Sequence, residues 1–447
     1  MRTLLSAGAA NAKLHGLALT ALLLTTSMTS TASAAGAPFN STKFYVSKAG
    51  DNSDGLTWQT AWTAPDKIKW RNVTPQSQVI IACDDYNCGL IVPPGVGLMD
   101  APVMIKPGSP TGQVRLLAAS GPGVYVSSGS SVYLFGFQNE SDYGGWSIRK
   151  SQFEISKANG AGVLVAPGAK KVWLVGLTVD NCRDTGIEVR GGSEVIVSTC
   201  NVFDNRGGSQ VNLQSTAGSF DTAGAAIDGC WIHCTRPGIG RINANNELMN
   251  TGVYSLKSGQ NACRIVQKSI IGPNLIEDFA MLDKAGTGSA LHKLSDSLLL
   301  PAQKRNLTAR PNGESHFFID ALTSVQYAVS DTAKTNLASA DLTTIGARHI
   351  RYSTFVAGSI IDKTSWQQHG DPNWQARTTG NTLLLSQKLE RPDRIFADRR
   401  AYSLNSIRPI PLDIDYTNLQ YHNSLTVPSI PKLLDRPFTT DVFNIFK

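Results

Sequence analysis

Gly123-Val-Tyr-Val-Ser-Ser-Gly-Ser-Ser-Val-Tyr-Leu-Phe-Gly-Phe137 is the first clear copy of a repeat that runs along the middle of the chain. Each copy is a short alternating strand, a turn rich in Gly, Ser or Pro, and a second alternating strand. Further copies begin at Gly162, Gly186 and, more loosely, Gly252. Strands of this kind bury their apolar faces only by stacking on one another, so the repeat predicts a solenoid of stacked coils.

The second strands of the repeats share a register, which can be read from their apolar residues. The residues that align near the strand ends are Val179, Val202 and Ile232, which predicts coils of 23 and 30 residues. Residues two positions earlier should form one inward column, about 4.8 Å apart, and they are Leu177, Cys200 and Cys230. Residues four positions later should form an outward column, here called the arginine column, and they are Arg183, Arg206 and Arg236.

The first 34 residues are typical of a secretory signal peptide. Arg2 and Lys13 precede a leucine-rich run from Leu14 to Leu24, and Ala32-Ser-Ala34 supplies a small-residue cleavage site. The apolar run is too short to span a bilayer. We therefore expect a secreted or periplasmic protein with no membrane span after signal removal.

The charge of the chain is mildly basic. The formal net charge is +7, and it becomes +5 when the two cations of the leader are removed. This excess suits an acidic partner, but it is too small to indicate nucleic acid. We expect no nucleic-acid partner, and we expect a monomer.

Seven cysteines follow the leader, and an exported protein can oxidise them. Cys83 and Cys88 could close a small loop, and Cys200 and Cys230 share the inward column at a spacing that permits a disulfide. The alternative for Cys200 and Cys230, which we favour, is a stack of buried thiols that fill a leucine-sized slot. The cysteines lack the matching Cys or His pairs that a zinc site needs.

The organisation along the chain follows from these patterns. We expect an N-terminal strand and cap over residues 35–77, a parallel β-helix with long inserted loops over 78–400, and a proline-rich C-terminal cap over 401–447. A short amphipathic helix is predicted at 66–71, and a long polar loop at 301–314.

The segment Phe44-Tyr-Val-Ser47, the polar loop Gly50-Asp-Asn-Ser-Asp-Gly55 and the Gly-Val-x-Val coils together resemble the right-handed parallel β-helix proteins of the pectin-lyase-like superfamily. The resemblance covers about residues 43–272. It implies an all-β fold, a single right-handed parallel β-helix with caps. It also implies a secreted enzyme that acts on an acidic polysaccharide, as a lyase, a hydrolase or a C5-epimerase. The polygalacturonase signatures do not occur as an ordered set, and the alginate-epimerase signature is absent, so the motifs indicate the fold and leave the reaction open.

The arginine column is the first candidate for substrate binding. Stacked like charges repel, so such a column needs anions. Asp184, Asp204 and Glu188 could supply some of them, and the uronate carboxylates of a polymer could supply the rest by bidentate pairing. The alternative is a solvated surface ladder that local acids neutralise.

Carboxylates on the same coils are the second candidate site, and they are Asp180, Asp184, Asp204 and Asp228. An inverting hydrolase needs two carboxyl groups about 6.5–9.5 Å apart, which neighbouring coils can provide. A lyase could instead hold Ca²⁺ through Asp180, Asp184 and Asp204. The alternative is turn chemistry, since Asp after a strand often caps its own backbone.

Lys257, His233 and Tyr254 complete the candidates. β-Elimination on a uronate needs a base for the C5 proton and cations that stabilise the developing anion. Lys257 follows one coil after Arg236, whose charge would lower the pKa of the amine and suit it to act as that base. His233 directly follows an inward residue and should point outward as a second catalytic candidate, while Tyr254 is predicted to bind substrate. The alternative for Lys257 is an exposed, solvated lysine.

Taken with the resemblance, these residues predict an exported polysaccharide lyase that cleaves a uronic-acid-containing glycan by β-elimination, with Ca²⁺ as the candidate cofactor. Two alternatives stay open: a glycoside hydrolase with paired aspartates, and a non-catalytic glycan-binding β-helix.

Overall fold

The structure is a computed structural model of the chain. Every residue described below belongs to one unit of the chain, Phe39–Lys447. The predicted leader lies outside the described residues. The structure describes residues 42–109, 111–138, 151–192, 194–214, 224–234, 240–242, 248–257, 262–267, 269–272, 274, 277–283, 290–295, 297–299, 305–310, 316–320, 323–326, 340–341, 347–351, 354–357, 378–379, 382–386 and 409–410.

Most strands belong to three parallel sheets, in which each strand pairs with the equivalent strand of the coils before and after it. Strands are numbered here in chain order. The first sheet contains β1 Lys43–Val46, β2 Gln78–Ile81, β5 Val103–Pro107, β8 Val132–Phe135, β11 Lys171–Val175, β14 Glu194–Ser198, β17 Gly224–Asp228, β22 Ala262–Gln267, β25 Ala290–Ser295, β28 His316–Asp320, β31 Ala347–Arg351 and β33 Thr378–Thr379.

The second sheet carries the first strand of each repeat. Its strands are β4 Leu90–Val92, β7 Val124–Val126, β10 Val163–Val165, β13 Ile187–Val189, β16 Ser209–Gln214, β21 Thr251–Lys257, β24 Glu277–Asp283, β27 Arg305–Arg310 and β30 Ala340–Asp341.

The third sheet follows the first along each coil. Its strands are β3 Asp85–Tyr86, β6 Val114–Leu116, β9 Phe153–Ser156, β12 Leu177–Asp180, β15 Asn201–Phe203, β18 Trp231–His233, β23 Ile270–Ile271, β26 Leu298–Leu299, β29 Thr323–Gln326, β32 Thr354–Ala357, β34 Thr382–Ser386 and β35 Pro409–Ile410. A small antiparallel hairpin, β19 Arg241–Ile242 with β20 Leu248–Met249, is inserted after β18. The all-β parallel solenoid that the repeat predicted is confirmed.

The predicted register is also confirmed. Val179 pairs with Val202, and Val202 pairs with Ile232. The inward column of Leu177, Cys200 and Cys230 is at most 1% exposed and belongs to the core. Its thiols accept backbone hydrogen bonds from the preceding coil, because the N–H groups of residues 177 and 200 each lie 3.4 Å from the next Sγ. Thus the sulfur atoms help to hold neighbouring coils together.

Cys200 and Cys230 are buried free thiols, which confirms the favoured interpretation of the inward column. Cys182 and Cys234 are also buried free thiols, whereas Cys83 and Cys88 are half-buried free thiols. Burial raises the pKa of Cys88 to about 11 and that of Cys182 to about 12, so neither thiol is an activated nucleophile.

Two local predictions were wrong. The segment 66–71 holds two 3-10 turns, Pro65–Lys67 and Trp70–Asn72, instead of one amphipathic helix. Each is a three-residue turn, too short to bury a helical face. The segment 301–314 contains β27, Arg305–Arg310, which pairs with β24. A parallel ladder uses backbone groups, so this polar segment forms a strand without an apolar repeat.

The glycine that opens each repeat has a steric cause. A Cβ atom at Gly162 would lie 2.3 Å from Cγ1 of Val179 in the next coil, and one at Gly186 would lie 2.5 Å from Nδ2 of Asn205. The chain enters the second sheet so close to the following coil that no side chain fits at the glycine position. The Gly-Val-x-Val pattern therefore marks a corner of the coil.

Candidate anion-binding site

The candidate site lies at the corner where the chain leaves the third sheet and enters the second. One position of this corner has a left-handed backbone in three successive coils, and its residues are Lys157 (φ 55°), Asn181 (φ 53°) and Asp204 (φ 52°). Each follows by two residues an apolar residue of the shared register. Such conformations are uncommon for residues other than glycine and concentrate at functional sites.

Two positions further on, three successive coils each carry an exposed polar residue, and they are Asn159, Arg183 and Arg206. The Arg183 N–H donates to Ala158 O at 2.8 Å, and the Arg206 N–H donates to Cys182 O at 2.9 Å. These backbone bonds join neighbouring coils at the corner, so the structure brings two members of the arginine column together. Arg236 lies outside the described residues.

These side chains line a surface pocket of about 520 Å³. The residues of its lining, here called the corner pocket, are Ala119, Lys157, Ala158, Asn159, Asn181, Arg183 and Arg206. They include three cations and two carboxamides and no carboxylate. Arg183 is oriented by a hydrogen bond from its Nη1 to Asn159 Oδ1 at 2.8 Å. Cationic and amide donors that converge in this way suit an anion.

None of the four predicted aspartates lines the corner pocket. Asp184 is exposed, whereas Asp180 and Asp204 are each 8% exposed. Oδ2 of Asp180 accepts a hydrogen bond from Asn181 Nδ2, and Oδ1 of Asp180 is buried without a hydrogen-bond partner. Asp228 ends β17 in the first sheet, where its Oδ1 accepts from Gln267 Nε2 at 2.9 Å.

The described residues contain no group of three or more His, Cys, Asp or Glu side chains placed to hold a metal ion. A calcium ion bound through Asp180, Asp184 and Asp204 would therefore need further oxygen ligands from substrate, water or the backbone. Calcium binding stays a prediction.

His233 is on the outward face of the third sheet, as predicted from its place after Ile232, but it is buried there. Its ring stacks on Trp231 (centroids 4.0 Å apart) and on Phe203 (5.0 Å). Nε2 donates to Asn201 Oδ1 at 3.2 Å, while Nδ1 is buried without a partner. Burial lowers the pKa of His233 to about 3, so the imidazole is neutral at pH 7 and is a weak base.

Lys257 and Tyr254 are on β21, away from the corner pocket. Tyr254 is opposite Asn212, on the outward face of the second sheet, and is half-buried. Burial, with the charge of Glu277, raises the pKa of Tyr254. Lys257 is the last residue of β21, whereas Arg206 precedes the first residue of the neighbouring strand β16. The two predicted roles thus fall at opposite ends of the second sheet.

Sequence reasoning missed Lys157, Asn159 and Asn181. The signal was available, because Ile155 occupies the same register position as Val179 one coil later. Extending the alignment by one coil toward the N-terminus would have placed Lys157 level with Asn181, and Asn159 level with Arg183.

Comparison with known proteins bears on the fold. A protein-family model described as "Right handed beta helix region" matches residues 113–277. With the three parallel sheets, this match confirms the right-handed parallel β-helix. No curated protein sequence matches the chain. Among the described residues, no helix has the length and apolar character needed to cross a membrane.

Several solved structures are similar to this chain at low identity. Pectate lyase Pel9A has 12% identity and a TM-score of 0.39, over 72% of this chain and 77% of that one. A rhamnogalacturonan lyase has 12% identity and a TM-score of 0.41, over 70% and 87%. The Dettilon tailspike protein has 11% identity and a TM-score of 0.46, over 82% and 68%. At these identities none of the three decides the substrate or the reaction of this chain.

Proposed function

We propose that this protein is an exported, carbohydrate-active β-helix that binds an acidic glycan at the corner pocket and cleaves it as a polysaccharide lyase. The observation that carries the binding part is the pocket itself. Three cations from successive coils and two carboxamides line it, and no carboxylate does.

The electrostatics of the pocket favour carboxylates carried on a polymer. Guanidinium groups pair with carboxylates through two parallel hydrogen bonds, which neither a neutral sugar nor water reproduces. The cations extend over three neighbouring coils, a length of roughly 10 Å. A glycan with repeated uronate groups can therefore meet more than one of them, whereas a neutral glycan gains nothing from the charge.

The reaction that fits a uronate is β-elimination. A base removes the C5 proton, the electrons of that C–H bond form the C4–C5 double bond, and the C4–O bond breaks. The leaving oxygen takes a proton, and cations at the uronate carboxylate stabilise the anion that develops before the break. Lys257 is the proposed base for a uronate at the end of β21. Arg183 and Arg206 are proposed to bind the carboxylate of another uronate of the same glycan at the corner pocket.

Lys257 can serve this pocket only if the glycan also extends along the second sheet, because the seven residues of β21 span roughly 20 Å. This separation favours a second candidate function, a glycan-binding β-helix without catalysis. The binding part of the proposal is common to both functions.

The experiment that tests the proposal combines two measurements on the same protein. Uronic-acid polymers are incubated with the protein, and the ultraviolet absorbance of an unsaturated product is followed. Binding of an acidic polymer and of a neutral polymer is measured in parallel, for the wild type and for Arg206→Ala. The matched control is Arg190→Ala, because Arg190 is also exposed but pairs with Glu188 at 2.8 Å outside the pocket.

Product formation together with loss of binding in Arg206→Ala alone would support the lyase. Binding without product would support the non-catalytic alternative. Equal affinity for acidic and neutral polymers, or an equal loss in the two arginine variants, would reject the pocket as the binding site.

A further inference from the structure

The corner at which the second sheet begins holds a buried aspartate, paired with an asparagine, that the proposed function does not use. The register-equivalent residues at this corner, each directly before the first inward residue of its strand, are Gly89, Gly123, Gly162, Gly186, Gln210, Gly252, Asp278 and Asn306. Five are glycines, for the steric reason given above. Three coils replace the glycine with a residue that carries a polar side chain, and two of these residues, Gln210 and Asp278, are 0% exposed.

Gln210 and Asp278 share a feature that the corners before Gly123, Gly162 and Gly186 lack. Gln210 and Asp278 each face an asparagine that precedes them in the same coil. Asn205 Nδ2 donates to Gln210 Oε1 at 3.0 Å, and Asn274 Nδ2 donates to Asp278 Oδ1 at 2.8 Å. In those three corners the residue four positions before the glycine is small, and these residues are Ala119, Ala158 and Cys182. A polar residue at the glycine position therefore accompanies an asparagine that can bond to it.

The two polar pairs differ in how completely they are satisfied. Gln210 Oε1 also accepts from the Asn205 backbone N–H at 2.9 Å, and Gln210 Nε2 donates to Asn205 O at 3.0 Å. In the other pair, Asp278 is 0% exposed and Asn274 is 3% exposed. Asp278 Oδ2 and Asn274 Oδ1 are both buried, and each lacks a hydrogen-bond partner if the carboxyl is ionised. Two buried acceptors on groups already joined by one hydrogen bond form a costly arrangement.

We propose that Asp278 carries a proton at neutral pH and donates it, through Oδ2–H, to Asn274 Oδ1. The carboxylic acid and the carboxamide then form a reciprocal pair, with one N–H···O and one O–H···O hydrogen bond. A single proton satisfies both unpaired atoms, and the coil buries a neutral group instead of an anion. The pair fixes the corner of β24 in the way that Asn205 and Gln210 fix the corner of β16.

The surroundings support a proton at this position. Burial raises the pKa of Asp278 well above its usual value, and the charge of Glu277 raises it further. The hydrogen bond from Asn274 opposes both effects. Glu277 is itself 8% exposed and is opposite Thr251 on β21 and Arg305 on β27. Asp278 is thus next to an acid on its own strand, and it is opposite Gly252 on β21 and Asn306 on β27.

The consequence is a dependence of stability on pH. The folded pKa lies above the unfolded value, so the stabilisation by the pair is complete below the unfolded pKa and is lost as pH rises through the folded pKa. The isosteric control is Asp278→Asn, because its new amide can make the same two hydrogen bonds without titrating.

The experiment compares the opening of β24 in the wild type and in Asp278→Asn by hydrogen exchange of the same backbone amides at pH 5, 6, 7 and 8. We expect the ratio of opening constants, wild type over variant, to rise tenfold for each pH unit below the folded pKa. A ratio that stays constant over this range would overturn the proposal, because it would mean that the carboxyl is ionised in the fold.

A second measurement does not depend on the stability of the variant. An infrared difference spectrum, wild type minus Asp278→Asn at pH 7, should contain the C=O band of a protonated carboxyl that shifts in D₂O. A spectrum with carboxylate bands alone would contradict the proposal. The double variant Asn274→Ala/Asp278→Gly reproduces the corner of Ala158 and Gly162. It should fold and be more stable than Asp278→Gly, which leaves Asn274 without its acceptor.

Discussion

The two ends of the second sheet differ in what the coils assemble there. At the end where strands begin, Lys157, Arg183 and Arg206 come from three successive coils and line one pocket. At the end where β21 finishes, Lys257 is the predicted base. The arginines are predicted to be neighbours because they share a four-residue offset from paired strand residues. Lys257 is predicted to act with them only because it follows one coil after Arg236 in the sequence. The register of paired strands therefore predicts which residues are neighbours across coils, whereas closeness in sequence along one coil does not.

The largest expected effect is on the rate of product formation, when Lys257 at the end of β21 is replaced. If Lys257 is the C5 base, Lys257→Ala should lower the rate of product formation by about 10²–10⁴-fold, the usual contribution of a proton-transfer group. Polymer affinity should be unchanged, because the binding residues are at the other end of the sheet. The measurement is initial rate and affinity on one uronate polymer, with Lys257→Arg as the charge-preserving control.

Full activity in Lys257→Ala, together with inactive Asp184→Asn or Asp204→Asn, would contradict the lyase mechanism. A hydrolase with paired aspartates would then explain the data better.

The next effect concerns the two arginines. Replacing Arg183 and Arg206 together with alanine should weaken binding of an acidic polymer about 100-fold, since a hydrogen bond to a charged group contributes about 1.5–3 kcal/mol and solvent reduces that contribution at an exposed site. Titration calorimetry at low salt measures the change. The same titration on Arg190→Ala should reproduce the wild type, and a comparable loss in that control would indicate a general charge effect instead of a pocket.

A smaller effect should follow from Lys157→Asn. Asparagine accepts the left-handed backbone of this position and occupies it one coil later as Asn181. The fold should therefore keep its stability, while loss of one exposed cation should weaken binding up to about fivefold. The affinity difference from the wild type should shrink at high salt, where charges are screened. A variant that unfolds at a lower temperature but binds normally would show that Lys157 serves the turn alone.

The smallest effect at neutral pH belongs to His233. Its folded pKa of about 3 is below the unfolded value of 6.5. The contribution of the neutral His233 ring to the stability of the fold is therefore complete above pH 6.5, and it is lost as pH falls toward 3. His233→Phe keeps an aromatic ring in the stack and cannot titrate, so its unfolding midpoint should fall less than that of the wild type between pH 7 and pH 4. Parallel curves for the two proteins would mean that the imidazole is charged or exposed in the fold.

The fold could be predicted from the sequence because every copy of the repeat contains the same two features, a glycine before the first strand and an apolar alternation after it. The glycine is needed because a Cβ atom at the corner would clash with the following coil. The alternation of apolar residues after it indicates which side chains point into the core. The polar strand β27 could not be predicted in this way. β27 is positioned by backbone hydrogen bonds to β24. Backbone pairing does not require any particular pattern of side chains, so the sequence does not indicate it.

The site was predictable in part for a related reason. Arg183 and Arg206 keep a fixed distance from paired valines, so their shared corner could be read from the chain. The burial of His233 depends on Trp231 and Phe203, whose rings close over it from the same strand and from the neighbouring coil. Outward direction was readable from alternation, but exposure depends on the size of the neighbouring side chains.

The most direct test is a crystal structure of the protein with a bound oligouronate. We expect a carboxylate of the oligosaccharide within hydrogen-bond distance of the guanidinium groups of Arg183 or Arg206, and we expect the oligosaccharide to lie across the coils of Lys157 and Asn181. A sugar bound elsewhere, with the corner pocket filled only by water, would contradict it.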